Sequence, residues 1–264
     1  MTRRPSGAPP ASPTGSAIWD ACREHARPGR IGGTLFRVVE SQEQVATSAI
    51  VDTAAEQAML EDILEASKPR RRPGTAHLDY LLATAFRYPP LRHGSRFGSR
   101  FEPSLFYGSL AERTVLAEGA YYRFWFWFGM KRPPPTQQLI TQHSVVRARY
   151  ATRRGLRLQH APFDAHADAL RNPRDYAATQ ALGTALRTAA IEAFEYCSAR
   201  DPGLNVAIFT PAVFPAHGRL EGRSEWSCMT SPQRVAFVNT ATRATHEFML
   251  GQFLLDGEFP DPAR

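Results

Sequence analysis

The chain has 264 residues, enough for one large domain or two small ones, with a sizeable core in either case. Its 43% hydrophobic and 22% charged residues are ordinary for a globular protein. No apolar run approaches the ~20 residues of a transmembrane helix, which argues against a membrane-spanning protein. The formal charge of +7 is carried almost entirely by arginine, which suits phosphate and carboxylate ligands but is also the common basic residue of GC-rich genomes.

The cysteines and the N-terminus indicate the compartment. Cys22, Cys197 and Cys228 are odd in number, lie far apart and have no zinc-site spacing. The first residues contain arginines but no apolar stretch, so we expect no signal peptide. These features predict a cytoplasmic protein without a metal site and without a membrane anchor.

The N-terminal part divides into an extension and a body. Residues 1–16 are rich in Pro, Ser, Gly, Ala and Arg and should be disordered. The whole extension of residues 1–30 is predicted to be disordered or loosely docked, with a short helix over 18–25. Residues 31–264 are predicted to form one domain, which begins with a strand over 34–40 because its residues alternate. Apolar residues then recur at helical spacing over 41–67, as one helix or as two that are broken near Thr53.

Short helices and strands alternate through the rest of the chain. The predicted helices are 77–86, 110–122, 163–170, 174–193 and 247–255. The predicted strands are 104–108, the aromatic run 121–130, 144–151 paired with 156–159 across an Arg-Arg-Gly turn, 194–197, 205–209 and 234–238. Because these elements do not form regular βαβ units, the pattern predicts an α+β fold with a mixed sheet and flanking helices.

A basic loop offers an alternative to enzyme function. Residues 68–74 hold four cationic side chains, of which the three arginines lie between two prolines, and the sequence pI is about 9.7. A basic protein that binds nucleic acid without catalysis would show this charge. No nucleic-acid motif accompanies it, however, so a solvated loop is the favoured interpretation and direct nucleic-acid binding is not expected.

The stretch 94–118 carries the best candidates for chemistry. It holds Arg96 and Arg100 in two Ser-Arg-Phe repeats, Tyr107 at a predicted strand end and Glu118 on a predicted helix face. If these side chains converge, they can bind an anionic substrate and stabilise a developing cation.

Four segments together resemble the RES domain, a bacterial family named for Arg, Glu and Ser. They are the strand 35–40, the stretch 94–118, the helix with YAATQALGTALR, and EYCSARDPGLNVAIF at 195–209. The resemblance spans roughly residues 34–238. It implies a fold related to the ADP-ribosyltransferase toxins and a catalytic domain over 31–264. It also implies NAD+ as substrate, phosphate as co-substrate, and a toxin that pairs with an Xre-type antitoxin. A protein ADP-ribosyltransferase is the alternative, and we also expect a homo-oligomer.

The resemblance also implies the site residues. Glu118, Tyr107 and Arg96 carry over as catalytic residues. Substrate-binding positions are Arg37, Arg100, Ser198, Arg200 and Asn205. Because the Ser-Arg-Phe step is duplicated, the diphosphate clamp is either Arg96 or Arg100. Ser198 lacks a nucleophile-elbow context, so we expect it to donate a hydrogen bond to substrate rather than to attack it.

Overall fold

The computed structural model describes residues 16–41 and 51–261. Within these residues, eight strands form one sheet and are numbered β1 to β8 in chain order. The strands are Gly29–Glu40, Phe106–Ser109, Leu139–Arg157, Ala193–Cys197, Leu204–Ile208, Gly222–Thr230, Arg234–Asn239 and Thr245–Met249. The α-helices, numbered α1 to α6, are Ala17–Cys22, Ala54–Ser67, Tyr80–Arg87, Glu112–Gly129, Ala167–Arg171 and Ala177–Thr188. Short 3-10 helices span Phe163–His166, Pro211–Val213 and Leu250–Gln252.

The strand pairings close part of the sheet into a ring. The strand order is β1-β2-β5-β4-β3-β6-β7-β8, and β1 pairs with β3 as well as with β2. This additional pairing joins the first five strands in a closed circuit, from which β6, β7 and β8 extend. The β3–β4 pair is parallel and the other pairs are antiparallel. The predicted α+β class with a mixed sheet and flanking helices is therefore confirmed.

Helix α4 corrects one prediction. Residues 121–130 were expected to form a buried strand, but they complete a helix that spans Glu112–Gly129. Tyr121, Phe124 and Trp127 are buried at helical spacing, and the first two join the core between α4 and the strands β3 and β7. The intervening aromatic residues are exposed. The run is apolar because the helix has aromatic side chains on several faces, and not because it is a central strand.

Strand β3 corrects a second prediction. The expected hairpin of 144–151 with 156–159 does not form, because the chain continues as one strand from Leu139 to Arg157. The glycine that indicated a turn, Gly155, instead lies against β1, and a Cβ atom there would be 2.2 Å from Cγ1 of Ile31. Gly155 thus permits close strand approach rather than chain reversal.

The C-terminal third holds the remaining differences. The helix predicted over 174–193 is shorter, because Ala190 adopts a φ of 55° that ends it before β4. The helix predicted over 247–255 is wrong, since β8 and a 3-10 turn occupy these residues. Strands β6 and β8 were not predicted.

Other predicted elements are confirmed with shifted ends. The strand over 34–40 is the second half of β1. Thr53 caps α2 in a capping box with Glu56, so a helix begins directly after Thr53 and a single helix over 41–67 is excluded. The helical prediction also covered residues 42–50, which lie outside the described residues.

The N-terminal residues that are described pack on the body. Helix α1 buries Ile18 and Cys22 in a core cluster shared with α6. The division into an extension of residues 1–30 and a domain of residues 31–264 stays a prediction. Within 16–41 and 51–261, no helix combines the length and the hydropathy that a membrane crossing requires.

Candidate active site

A cavity of about 280 Å³ lies where α4 meets the strands β1, β2, β4 and β5. Six of the eight predicted site residues line it: Arg37, Arg96, Tyr107, Glu118, Arg200 and Asn205. Ser198 is buried directly behind Glu118, and Arg100 lies elsewhere. Residues more than 160 positions apart in sequence therefore meet at one site.

Glu118 is the carboxylate of this cavity, and two side chains hold it. Its Oε1 atom accepts hydrogen bonds from Oγ of Ser198 and from Nδ2 of Asn205, each at 2.6 Å. Oε2 accepts no hydrogen bond from any described residue. Both anchors are on one oxygen, so the other oxygen is available to a group in the cavity.

The hydroxyl of Ser198 is fully committed to the protein. It accepts hydrogen bonds from the backbone N–H groups of Arg200, at 2.9 Å, and Asp201, at 3.2 Å. Its own proton is therefore directed to Glu118. Ser198 has no exposed surface and does not line the cavity. This position suits a residue that orients the carboxylate, whereas the sequence had indicated a contact with substrate.

Asn205 is oriented by a residue that the sequence analysis missed. Ser109 on β2 lies opposite Asn205 on β5 and donates a hydrogen bond of 2.7 Å to its Oδ1. Because Oδ1 is occupied in this way, the Nδ2 group faces Glu118. Both residues are almost completely buried. The cross-strand hydrogen bond from Ser109 thus orients the amide of Asn205, and that amide in turn orients the carboxylate of Glu118.

Three arginines line the cavity, and each is held by a backbone carbonyl. Arg37 donates to the carbonyl of Tyr107 at 3.0 Å, and Arg96 donates to the carbonyl of Asn172 at 2.8 Å. Arg200 donates to the carbonyl of Pro173 at 3.2 Å. Within the described part of the chain, none of the three has a carboxylate in ion-pair range.

Each of these guanidinium groups also faces an aromatic ring. The guanidinium carbon of Arg200 lies 3.5 Å from the ring centroid of Tyr121, and that of Arg96 lies 4.5 Å from the ring centroid of Tyr176. The three positive charges consequently keep a fixed geometry without being neutralised. Since Glu118 is the one carboxylate among the described lining residues, the cavity favours an anionic ligand.

Arg37 is the most desolvated of the three arginines. Burial lowers its pKa from the ordinary value of an arginine to about 10, so it stays charged at neutral pH. Its Nε atom is buried without a hydrogen-bond partner, and its guanidinium lies 4.9 Å from the centroid of the Phe106 ring. Because the half-buried guanidinium of Arg37 also lines the cavity, it is a candidate for contact with a phosphate oxygen.

Tyr107 positions the turn that carries Arg96. Its hydroxyl accepts a hydrogen bond from the backbone N–H of Phe97 at 3.1 Å and shares another with Oγ of Ser95 at 2.8 Å. Burial raises its pKa to about 12, so it remains neutral. Gly94 opens this turn with a φ of 74°, and a Cβ atom there would lie 2.3 Å from the carbonyl oxygen of Gly98.

The duplicated Ser-Arg-Phe step is distinguished by position. Arg96 faces the cavity, whereas Arg100 is exposed at the next turn and stacks at 4.5 Å on the neighbouring ring of Phe101. The basic loop 68–74 does not line the cavity either, and its Arg72 donates to the carbonyl of Ser104 instead.

Several tyrosines at the site were missed. Tyr121, Tyr122, Tyr176 and Tyr196 line the cavity, and Tyr196 lies opposite Asn205 in the β4–β5 pair. Burial raises the pKa of Tyr196 well above its usual value. The sequence does contain an indication of Tyr196. Side chains two positions apart in a strand point to the same face, and Tyr196 lies two positions before the predicted site residue Ser198.

The site is built without a metal-ligand cluster among the residues that the structure describes. No group of three His, Cys, Asp or Glu side chains there is arranged to hold a metal ion. His143, His160 and His166 do not converge with the cavity residues.

The fold and the site define an α+β protein with a cationic cavity around one anchored carboxylate. The family model of the RES domain matches residues 68–229, more than half of the chain, and the chain belongs to the RES domain family. That range contains every predicted site residue except Arg37.

The chain has a distant match among solved structures. It is a chain of the crystal structure of the M. tuberculosis MbcT–MbcA toxin–antitoxin complex, with 9% sequence identity and a TM-score of 0.47. The match covers 81% of this chain and 92% of that chain. No curated protein sequence matches at a significant level.

Proposed function

We propose that the chain is an NAD+-consuming enzyme that breaks the nicotinamide–ribose bond. Membership of the RES domain family supports this proposal. The observation that carries it is the anchored carboxylate of Glu118 beside three arginines that have no acidic partner in the described chain. Such a site offers one group for a developing ribosyl cation and three for the diphosphate.

Glu118 acts on the ribose in this proposal. When the bond from the nicotinamide nitrogen to C1′ breaks, its electron pair leaves with the nitrogen, and positive charge develops over C1′ and the ring oxygen. The carboxylate stabilises that charge, and its Oε2 accepts a hydrogen bond from a ribose hydroxyl. Nicotinamide departs as a neutral molecule, so no general acid is needed to expel it.

The remaining residues bind and orient the substrate. Arg37, Arg96 and Arg200 bind the diphosphate, while Ser198 and Asn205 position Glu118. The ring of Tyr107 forms part of the wall beside the ribose, and its hydroxyl holds the turn of Arg96. Phosphate is the proposed acceptor: one of its oxygens bonds to C1′, which yields nicotinamide and ADP-ribose 1″-phosphate.

The biological role that we propose follows from the family. The chain is the toxin of a toxin–antitoxin pair, it depletes NAD+ in the cytoplasm, and an Xre-type antitoxin neutralises it. We also infer that it assembles as a homo-oligomer.

Nicotinamide release from NAD+ tests the proposed reaction. Wild-type protein is incubated with NAD+ in buffers with and without phosphate, beside Glu118→Gln. We expect release by the wild type in phosphate and a decrease of about 100-fold or more in kcat for the variant, because the charge that stabilises the cation is lost. Glu112→Gln, on the first turn of the same helix and outside the cavity, is the matched control and should match the wild type.

The products separate the acceptors. Release that needs phosphate and yields a phosphorylated ADP-ribose identifies phosphorolysis. Release without phosphate identifies water as the acceptor, and radiolabel on protein identifies ADP-ribosylation. If the wild type releases no nicotinamide in either buffer, the proposal is wrong.

A further inference from the structure

A second cavity, of about 830 Å³, opens beside the end of α4. We call it the aromatic cavity, because its walls include Trp125, Phe126, Phe128 and Phe259. His93 and Asp261 are polar residues of the same wall. The three aromatic residues on α4 are exposed by 40%, 50% and 48%, respectively. Exposed aromatic side chains grouped around a hollow are typical of a ligand site.

The aromatic cavity and the active site are lined by residues along one face of the same helix. Glu118 and Tyr122 line the first cavity, and Trp125, Phe126 and Gly129 follow Tyr122 at three, four and seven residues. Residues at these spacings share a helix face. At about 1.5 Å per residue, the aromatic cavity begins about 10 Å beyond Glu118 along the helix axis.

Two further contacts join the cavities. The hydroxyl of Tyr121, whose ring lies beneath Arg200, donates a hydrogen bond of 2.6 Å to the carbonyl of Pro260. Pro260 lies between Phe259 and Asp261, which both line the aromatic cavity. Arg200, which lines the first cavity, therefore lies over the boundary that Tyr121 forms with the segment lining the aromatic cavity.

The sizes of the two cavities favour a ligand whose two ends occupy different cavities. Small-molecule sites usually enclose about 300–1,000 Å³, so the first cavity, at about 280 Å³, is small for a whole dinucleotide. It suits the nicotinamide riboside end. A diphosphate bound at the boundary arginine would direct the second nucleoside toward the aromatic rings.

We propose that the aromatic cavity is the subsite for the adenine base at the far end of the dinucleotide. This inference rests on the proposed function. Adenine is planar and can stack on a half-exposed indole or phenyl ring, and stacking of a base on an aromatic side chain contributes about 1–3 kcal/mol. Trp125 has the largest aromatic ring system of the cavity. Its indole Nε1 donates a hydrogen bond of 2.8 Å to Oδ1 of Asp261, which fixes the orientation of the ring.

The test compares two substrates that share the reacting bond. Initial rates of nicotinamide release are measured with NAD+ and with nicotinamide mononucleotide, which lacks the adenylate half, for wild type and Trp125→Ala. We expect Trp125→Ala to lower kcat/KM for NAD+ about tenfold, through KM, and to leave the mononucleotide unchanged. Trp125→Phe keeps a ring for stacking and should retain most of the wild-type kcat/KM.

A matched control and a second probe complete the experiment. Tyr80→Ala removes another half-exposed aromatic side chain from a helix outside both cavities and should match the wild type. ADP should inhibit NAD+ cleavage competitively, about tenfold less strongly in Trp125→Ala, and this comparison applies even if the mononucleotide is not cleaved.

The outcomes distinguish the two proposals. If the wild type cleaves NAD+ but Trp125→Ala retains its KM and its inhibition by ADP, the adenine subsite is overturned while the proposed function stands. Loss of antitoxin binding by that variant with unchanged kinetics would assign the surface to a protein partner instead. If Trp125→Phe falls as far as Trp125→Ala, stacking is not the cause. If the wild type releases nicotinamide from neither substrate, the proposed function itself fails.

Discussion

At the scale of single residues, the hydrogen bonds decide which side chains can meet a substrate. The hydroxyl of Ser198 accepts two backbone N–H groups and donates to Glu118, so it has no capacity left for a ligand. Sequence pattern associated Ser198 with the site but indicated nothing about its depth. Only the packing of β4 and β5 beside α4 reveals that it supports the carboxylate from behind.

Ser109 offers a test of this support. We expect Ser109→Ala to lower kcat for NAD+ cleavage about tenfold with little change in KM, because Asn205 loses the bond that orients its amide. The buried Oδ1 left without a partner should also reduce the free energy of unfolding by about 1–3 kcal/mol.

A second buried serine separates the two effects. Ser144 donates a hydrogen bond of 2.7 Å to Glu225 and lies outside the cavity. Ser144→Ala should lose stability to a similar degree and keep the wild-type kcat. An unchanged kcat in Ser109→Ala would show that Asn205 needs no orienting partner.

At the scale of helices and strands, prediction succeeded where the two faces of an element differ in burial and failed where they do not. The alternation over 34–40 predicted β1 correctly, because Leu35 on one face is completely buried while Phe36 and Val38 on the other face are only partly buried. The run 121–130 has aromatic residues on all sides of α4, so its periodicity was hidden. Strand β8 buries only Phe248, too little to produce an alternation. Gly155 was interpreted as a turn because close approach to Ile31 leaves no local signal.

The candidate site was predictable to the same extent. Tyr107 and Glu118 were found from their place in one stretch, and both line the cavity. Tyr121 and Tyr122 lie in the predicted helix 110–122, but they were missed as site residues because they also begin the aromatic run that was predicted to be a buried strand. Ser109 was missed because its role depends on register between β2 and β5, which no single sequence specifies.

Strand β3 carries a buried histidine that should make stability depend on pH. Burial lowers the pKa of His143 from 6.5 to about 4, so the folded protein holds it neutral while the unfolded chain binds a proton below pH 6.5. The contribution is complete above pH 6.5 and is lost progressively as the pH falls toward 4.

Thermal unfolding measures this dependence. We expect the wild type to lose on the order of 1–3 kcal/mol of stability from this group between about pH 7 and pH 4.5. His143→Gln should start from a lower stability and show a flatter pH profile. An identical pH profile for the two proteins would mean that another group controls the acid transition.

At the scale of the whole molecule, the excess of positive charge has a local focus. The formal charge is +7, and the cavity brings together three arginines without acidic partners among the described residues. The closed circuit of β1 to β5 provides a rigid support, because β1, β2, β4 and β5 each contribute to the cavity wall or directly flank it. Under the proposed function, these fixed charges on a rigid frame would attract the dianionic diphosphate of NAD+ without reorganisation.

A higher salt concentration should therefore weaken the binding of NAD+ more than it slows the bond-breaking step. We expect KM for NAD+ to rise several-fold between about 50 mM and about 500 mM sodium chloride, because mobile ions screen the arginines, while kcat changes little. Steady-state kinetics at fixed pH give both constants. A KM that is independent of salt would argue against binding of the diphosphate by this cluster.

The most direct test of the role of Glu118 is to measure NAD+ binding and nicotinamide release separately in the Glu118→Gln variant. Binding is measured by calorimetry, and nicotinamide release is measured in the same sample. We expect the variant to bind NAD+ through its three arginines with an affinity near that of the wild type, and to release nicotinamide at least about 100-fold more slowly. Release at the wild-type rate from Glu118→Gln would contradict the role of this carboxylate and the mechanism built on it.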